Sequence, residues 1–170
     1  MRYNRIDAEY GALMPQRHII MAKNKVSFIL KSNLSELDTL SEHLERYGQS
    51  IGLSSKCIFE ANLALDELFT NIISYGFNDK NEHTIKITIA CQDDHLVFSI
   101  EDDGVPFNPT KAKAPDLECT IEECKIGGLG IHLAKNLMDE VCYQRCQNKN
   151  ILTLKKNIKE TEPKKKRARN

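Results

Sequence analysis

No apolar run in this 170-residue chain approaches the roughly eighteen residues that a membrane-spanning helix needs, and no apolar h-region opens it. Neither a bilayer span nor a secretory signal is therefore expected, and the location read from the sequence is cytoplasmic. Net charge is absent as well, since 24 Lys and Arg balance 24 Asp and Glu. No field of one sign covers the molecule, so direct nucleic-acid contact is not expected. No internal repeat is visible, which sets aside solenoids and propellers. His43, His83, His95 and His132 join no serine and acid in a recognisable nucleophilic order. His132 follows a run of glycines and reads as a surface or packed histidine.

What is present fits one ordinary domain, with 41% apolar and 28% charged residues and a length that supports one core. Six cysteines (Cys57, Cys91, Cys119, Cys124, Cys142 and Cys146) read as reduced thiols without a secretory signal. The Cys119/Cys124 and Cys142/Cys146 spacings are loose for zinc, and the second pair falls in an expected strand. Charge is unevenly spread. Residues 155–170 hold eight Lys/Arg against Glu160 and Glu162, leaving the rest of the chain at −6. Such a basic end, Lys164 to Arg169 above all, can touch nucleic acid or an acidic partner; the plainer reading is a solvated, disordered tail.

Residues 1–24 are polar and irregular and are expected to form a flexible extension, with Met21 a competing translation start. A folded domain is expected over 25–156 and a basic disordered tail over 157–170. Val26 to Leu30 reads as a strand. Asn33 or Ser35 then caps a helix striped by Leu37, Leu40, Leu44 and Tyr47, which Gly48 and Gly52 end. Ser54 or Ser55 caps a second helix, with Ile58, Ala61, Leu65, Leu68 and Ile72 at helical spacing and Gly76 closing it near the αL position. Ile85, Ile87 and Ile89 alternate with polar residues, as do Leu96, Phe98 and Ile100, and Asp93-Asp94 joins the two strands as a hairpin. Residues 105–126 read as a long loop. Ile131, Leu133, Ala134, Leu137 and Met138 mark a third helix, and two strands around Gln147 to Asn150 close the chain. The order β-α-α-β-β-loop-α-β-β predicts an α+β two-layer sandwich, a mixed or antiparallel sheet with its helices on one face.

Three local features point to chemistry. Glu67 and Asn71 lie four apart on one face of the second helix, a carboxylate and an amide at the margin of a core. Asn71 offers one neutral oxygen suited to Mg²⁺, and Glu67 can orient a water or accept a hydroxyl proton. Asp102-Asp103-Gly104 ends a strand, where a carboxylate can accept from an exocyclic amine and a glycine lets a planar ring approach. Asp-Gly is also a plain turn former. Pro106 and Phe107 then open the long loop. Gly127-Gly128-Leu129-Gly130 begins a helix whose N-terminus favours an anion. It has neither the Walker Gly-Lys-Ser/Thr ending nor a surrounding Rossmann unit.

Together these segments resemble the GHKL ATPase/kinase superfamily. Glu67 to Asn71 is similar to its N-box, Asp102-Asp103-Gly104 to its Asp-x-Gly box and Gly128-Leu129-Gly130 to its second glycine box. Asp103 to Pro109 and Gly127 to Glu140 look closest to RsbW-type anti-sigma factors, which are also serine kinases, and the resemblance covers residues 25–156. It implies a Bergerat-type ATP-binding fold and ATP with Mg²⁺ as cofactors. In it Glu67 is the general base and Asn71 the Mg²⁺ ligand. Asp102 meets adenine, Gly104 and Phe107 line its pocket, Gly128 and Gly130 face phosphates, and residues 108–126 form a lid. It further implies phosphorylation of a Ser/Thr on a STAS-domain anti-anti-sigma protein, capture of a sigma factor, and a homodimer. A histidine-kinase phosphoacceptor domain is missing, which argues against a two-component kinase. The terminal hairpin carries Asn150 and Thr153 in place of an unambiguous family threonine. The competing function class is a non-catalytic, nucleotide-dependent protein-binding switch.

Overall fold

The computed structural model describes residues 20–22, 24–111 and 128–159. Six strands form one sheet: β1 (Ile20–Ala22), β2 (Lys25–Lys31), β3 (Thr84–Gln92), β4 (His95–Asp102), β5 (Glu140–Cys146) and β6 (Lys149–Asn157). Their spatial order is β1-β2-β3-β4-β6-β5, and every pair is antiparallel. Among the described residues three α-helices complete the fold: α1 (Leu37–Ser50), α2 (Ser55–Tyr75) and α3 (Gly128–Leu137). This is the α+β sandwich that the order of elements predicts, with the sheet antiparallel throughout the described residues.

Period-two burial fixes which sheet face meets the helices. Val26, Phe28 and Leu30, then Ile85, Ile87 and Ile89, then Leu96, Phe98 and Ile100 are all buried, while their sequence neighbours are mostly more exposed. These side chains share one cluster with Leu40 and Leu44 of α1 and Ala61, Ala64, Leu65, Leu68 and Phe69 of α2. A one-residue slip between β3 and β4 would turn the whole apolar row to solvent, so burial itself holds the register. Ser54 caps α2 by accepting from the Cys57 N–H at 3.2 Å. The β5–β6 turn places Gln147 and Asn148 at φ 48° and 61°, the left-handed conformations a two-residue hairpin needs. Tyr47 braces the core by donating to the Asn24 carbonyl at 2.7 Å and accepting from the Cys91 N–H at 2.8 Å.

Several sequence expectations are corrected. Residues 1–24 include a strand, β1, which pairs with β2 through Ile20–Ser27, Met21–Val26 and Ala22–Lys25. Three residues are too few to show alternation, so only pairing reveals it. Gly48 does not end α1 but lies inside it, where a Cβ would stand 2.8 Å from Ile58 Cγ1; the glycine lets α1 and α2 close together. Gly76 is right-handed at φ −78°, and among the described residues the left-handed glycine is Gly52 at φ 75°. The folded part also runs past residue 156: Asn157 belongs to β6, the Ile158 N–H donates to the Asp94 carbonyl at 2.9 Å, and Lys159 pairs with Asp94. Most of the expected lid (residues 112–126) and residues 160–170 of the tail lie outside the described residues.

Candidate functional site

Between the C-terminal half of α2 and the ends of β4 and β6 lies a cavity of about 330 Å³. That volume is in the range of sites for small organic ligands. Leu68 and Ile72 come from α2, Leu152 from β6 and Ile131 from α3, so most of the wall is apolar. Tyr75 and Phe107, both more than half exposed, stand at the rim. Pro106 and Pro109 shape the loop beside it. That loop is pinned where Asn108 Oδ1 accepts from the Thr110 N–H at 2.9 Å and where Lys135 of α3 donates to the Thr110 carbonyl at 2.9 Å. Three polar side chains interrupt the apolar wall: Asn71, Asp102 and Asn150.

Asp102 is 6% exposed, at the last position of β4. Its Oδ1 accepts from the Gly104 N–H at 2.9 Å and from Asn150 Nδ2 at 2.7 Å. Oδ2 has no partner among the described residues and is the acceptor left for a ligand. Burial pushes the carboxyl above its ordinary value, while the bonds from Asn150 and Gly104 and the charge of Arg145 act the other way. Gly104 is required by space. A Cβ there would run into the Gly76 carbonyl oxygen and come within 2.8 Å of Asp102 Oδ1. The Val105 N–H donates to that same Gly76 carbonyl at 2.7 Å, so the end of α2 is fastened to the end of β4.

Asn71 donates its Nδ2 to the Glu67 carbonyl at 2.6 Å, one turn back in α2. The amide nitrogen is thus committed to the helix, and Oδ1 is the end available to a ligand. Among the described residues no group of three His, Cys, Asp or Glu is placed to hold a metal. One neutral oxygen fits an ion such as Mg²⁺ that takes most of its ligands from phosphate and water. Glu67 lies beside α3. A Cβ on Gly130 would collide with its carboxylate, so the glycine permits this contact. The α3 N-terminus, begun by Gly128, is a favourable place for negative charge.

The structure therefore sets Asn71, Asp102 and Phe107 on the cavity wall, Gly104 behind Asp102, and Glu67 against Gly130 next to Asn71. Gly127 falls outside the described residues. Thr153 alternates with the buried Leu152 and Leu154 and pairs with Ser99, so it belongs to the opposite sheet face from Asn150. Sequence reasoning missed Tyr143 and Arg145, which donate to Asn150 Oδ1, each at 2.8 Å. Their spacing of two along β5 places both on the sheet face of Leu152 and Asn150, which holds the site. It also missed Asp66, whose carboxyl is raised by burial and then by Glu67 and Asp38. His83 stacks on Phe77 at 4.0 Å and touches Asp79 and Asp103 at 2.8 and 3.3 Å, bracing the loop behind Asp102.

A family model described as the histidine kinase-like ATPase domain matches residues 30–156. Serine/threonine-protein kinase BtrW of Bordetella bronchiseptica is 31% identical over 101 residues, which cover 59% of this chain and 71% of BtrW. Serine-protein kinase RsbW of Oceanobacillus iheyensis is 30% identical over 95 residues, covering 54% of this chain and 60% of that kinase. An anti-sigma F factor of Clostridium novyi is 24% identical over 106 residues, 62% of this chain and 74% of that factor. Among solved structures, the RsbU and RsbW domains of a Mycobacterium tuberculosis protein superpose with a TM-score of 0.57 at 17% identity. They cover 79% of this chain and 32% of that one, a likeness of fold.

Proposed function

This chain belongs to the histidine kinase-like ATPase domain family and has RsbW-type serine-protein kinases among its relatives; from that premise we propose that it moves the γ-phosphoryl group of ATP to a Ser or Thr hydroxyl of a STAS-domain anti-anti-sigma protein and sequesters a sigma factor. The observation that carries this reading is the buried Asp102 carboxylate in an apolar cavity, held by two donors on Oδ1 and with no partner on Oδ2 among the described residues. That is an acceptor suited to the 6-amino group of adenine.

The residues divide the work along the site. Leu68, Ile72, Ile131 and Leu152 exclude water from a planar base. Asn71 would hold Mg²⁺ through Oδ1, and the ion when bound supplies neutralisation of phosphate charge. Glu67, beside Gly130 at the start of α3, accepts the proton of the attacking hydroxyl. As its oxygen bonds to the γ-phosphorus, the bond to the β–γ bridging oxygen breaks and ADP leaves. Kinship with RsbW and an anti-sigma F factor supports the sigma capture proposed here, and a homodimer is part of the same proposal.

The test is incubation of the full chain with Mg²⁺, labelled ATP and a STAS-domain protein. Label is expected on that protein. In Glu67→Gln, transfer should fall by roughly 10²-fold or more while nucleotide binding persists. Binding and partner capture without transfer would favour the non-catalytic switch. Failure of the wild type to bind Mg²⁺-ATP would overturn both.

A further inference from the structure

We propose that Arg145, acting through Asn150, is a positioning residue that keeps Asp102 an acceptor-only group and so makes the cavity select a 6-aminopurine over a 6-oxopurine nucleotide. The inference rests on the nucleotide reading above and deepens it.

Three neighbouring strands set the three residues in one row. Asp102 of β4 lies directly opposite Asn150 of β6, and Asn150 lies directly opposite Arg145 of β5. Asn150 is 7% exposed and uses its whole hydrogen-bonding capacity. Nδ2 donates to Asp102 Oδ1 at 2.7 Å and to the Val105 carbonyl at 3.0 Å. Oδ1 accepts from Arg145 Nη1 and from the Tyr143 hydroxyl, each at 2.8 Å. A guanidinium can only donate and a backbone carbonyl can only accept, so the amide has one permitted orientation. Arg145 Nη1 also donates to the Gly104 carbonyl at 2.7 Å, steadying the loop whose N–H reaches Asp102 Oδ1. Each link orients the next, the amide presenting its negative oxygen to Arg145 and its positive NH₂ to Asp102.

The proton on Asp102 decides which purine fits. An ionised carboxylate accepts from the amino group at C6 of adenine and repels the oxygen at C6 of hypoxanthine or guanine. A neutral carboxyl can donate to that oxygen. Burial and the neighbouring Asp103 favour the neutral form; Asn150, the Gly104 N–H and Arg145 oppose it. His83 holds Asp103 from the loop side. Glu67 stands on α2 beyond Asn71, and the Lys149–Glu101 pair occupies the far sheet face. Removing Arg145 therefore takes away a cation that opposes the neutral form while leaving the groups that favour it.

The test compares Mg²⁺-ATP with Mg²⁺-ITP, which differs in carrying an oxygen at C6, by calorimetry on the full chain between about pH 8 and about pH 6. The Asp102 carboxyl is followed in the free protein by carbon NMR. The wild type is expected to prefer ATP by about tenfold or more throughout, the usual worth of a hydrogen bond to a charged group. In Arg145→Gln the preference should narrow as pH falls, and the carboxyl should titrate at higher pH. Asn150→Asp, which sets a second carboxyl beside Asp102, should move both readouts in the same direction. Equal weakening of both nucleotides at every pH, with an unmoved titration, would overturn the relay while leaving the nucleotide site standing. A wild type that binds neither nucleotide would remove the nucleotide reading itself.

Discussion

Replacing Asp102 by Asn should separate ligand recognition from folding. The amide keeps one oxygen to accept from the Gly104 N–H and Asn150 Nδ2, now 2.9 and 2.7 Å from Oδ1, but it puts an NH₂ in place of Oδ2, the oxygen proposed to meet the ligand. That donor meets the amino group of adenine, so one charge-assisted hydrogen bond is lost, about 1.5–3 kcal/mol. At about 1.4 kcal/mol per decade, Mg²⁺-ATP should bind roughly 10- to 150-fold more weakly. Stability moves differently. Burial raises the Asp102 carboxyl, so the folded chain holds that proton more tightly than the unfolded one. The ionised group therefore lowers stability progressively as pH rises from the ordinary carboxylate value through the raised one. The amide removes that cost, so the free variant should melt at or above the wild-type temperature at neutral pH, and the difference should close towards acid. Calorimetric titration with Mg²⁺-ATP and thermal denaturation at two pH values check both halves. Unchanged ATP affinity, or weaker binding accompanied by a matching loss of fold, would refute the reasoning.

Two further outcomes follow from contacts at the edges of the site. Gly130→Ala places a methyl group into the Glu67 carboxylate and displaces the proposed base. Phosphotransfer measured with labelled ATP should drop by up to roughly 10²-fold with ATP affinity little changed, because small misplacements cost rate before binding. At the other edge, Asp79 first and then Asp103 hold His83 protonated beyond its ordinary range. A histidine raised in the folded state contributes stability below its unfolded value near 6.5 and loses it as pH rises through the folded value. Thermal midpoints of wild type and His83→Gln should therefore differ most near pH 6 and converge in alkali.

Elements whose signal is periodic were legible in the sequence. Alternation through Ile85, Ile87 and Ile89 and through Leu96, Phe98 and Ile100 marks β3 and β4, which the structure bounds at Thr84–Gln92 and His95–Asp102. The apolar stripes of α1 and α2 are equally plain. Features that depend on a partner were not. Ile20–Ala22 is a strand because β2 offers it an edge. Gly48 is a glycine because Ile58 lies against it, which makes a helix-interior residue look like a terminator. At the site, Asp102, Asn71 and Glu67 are local motifs and could be read directly. Arg145 and Tyr143 acquire meaning only through register, since Asn150 must stand between β4 and β5 before a residue on the last hairpin can reach Asp102.

Hydrogen-bond demands explain why position 71 of α2 carries an amide rather than a carboxylate. The side chain faces two demands of opposite sign: a donor for the Glu67 carbonyl at 2.6 Å and an acceptor towards the cavity. An aspartate would set oxygen against oxygen on the helix side and add a second negative charge one turn from Glu67. Leucine of similar size would satisfy neither. Asparagine can meet both demands, because one N–H donates to the carbonyl and its oxygen remains as the acceptor proposed for the ligand. The same logic operates at Asn150, whose neighbours Arg145 and Val105 leave its amide one orientation. Asn71 is thus oriented by the Glu67 carbonyl, and Asn150, itself oriented by Arg145 and Val105, holds Asp102 at the other end of the cavity. The polarity of the site is set by hydrogen-bond chemistry rather than by net charge.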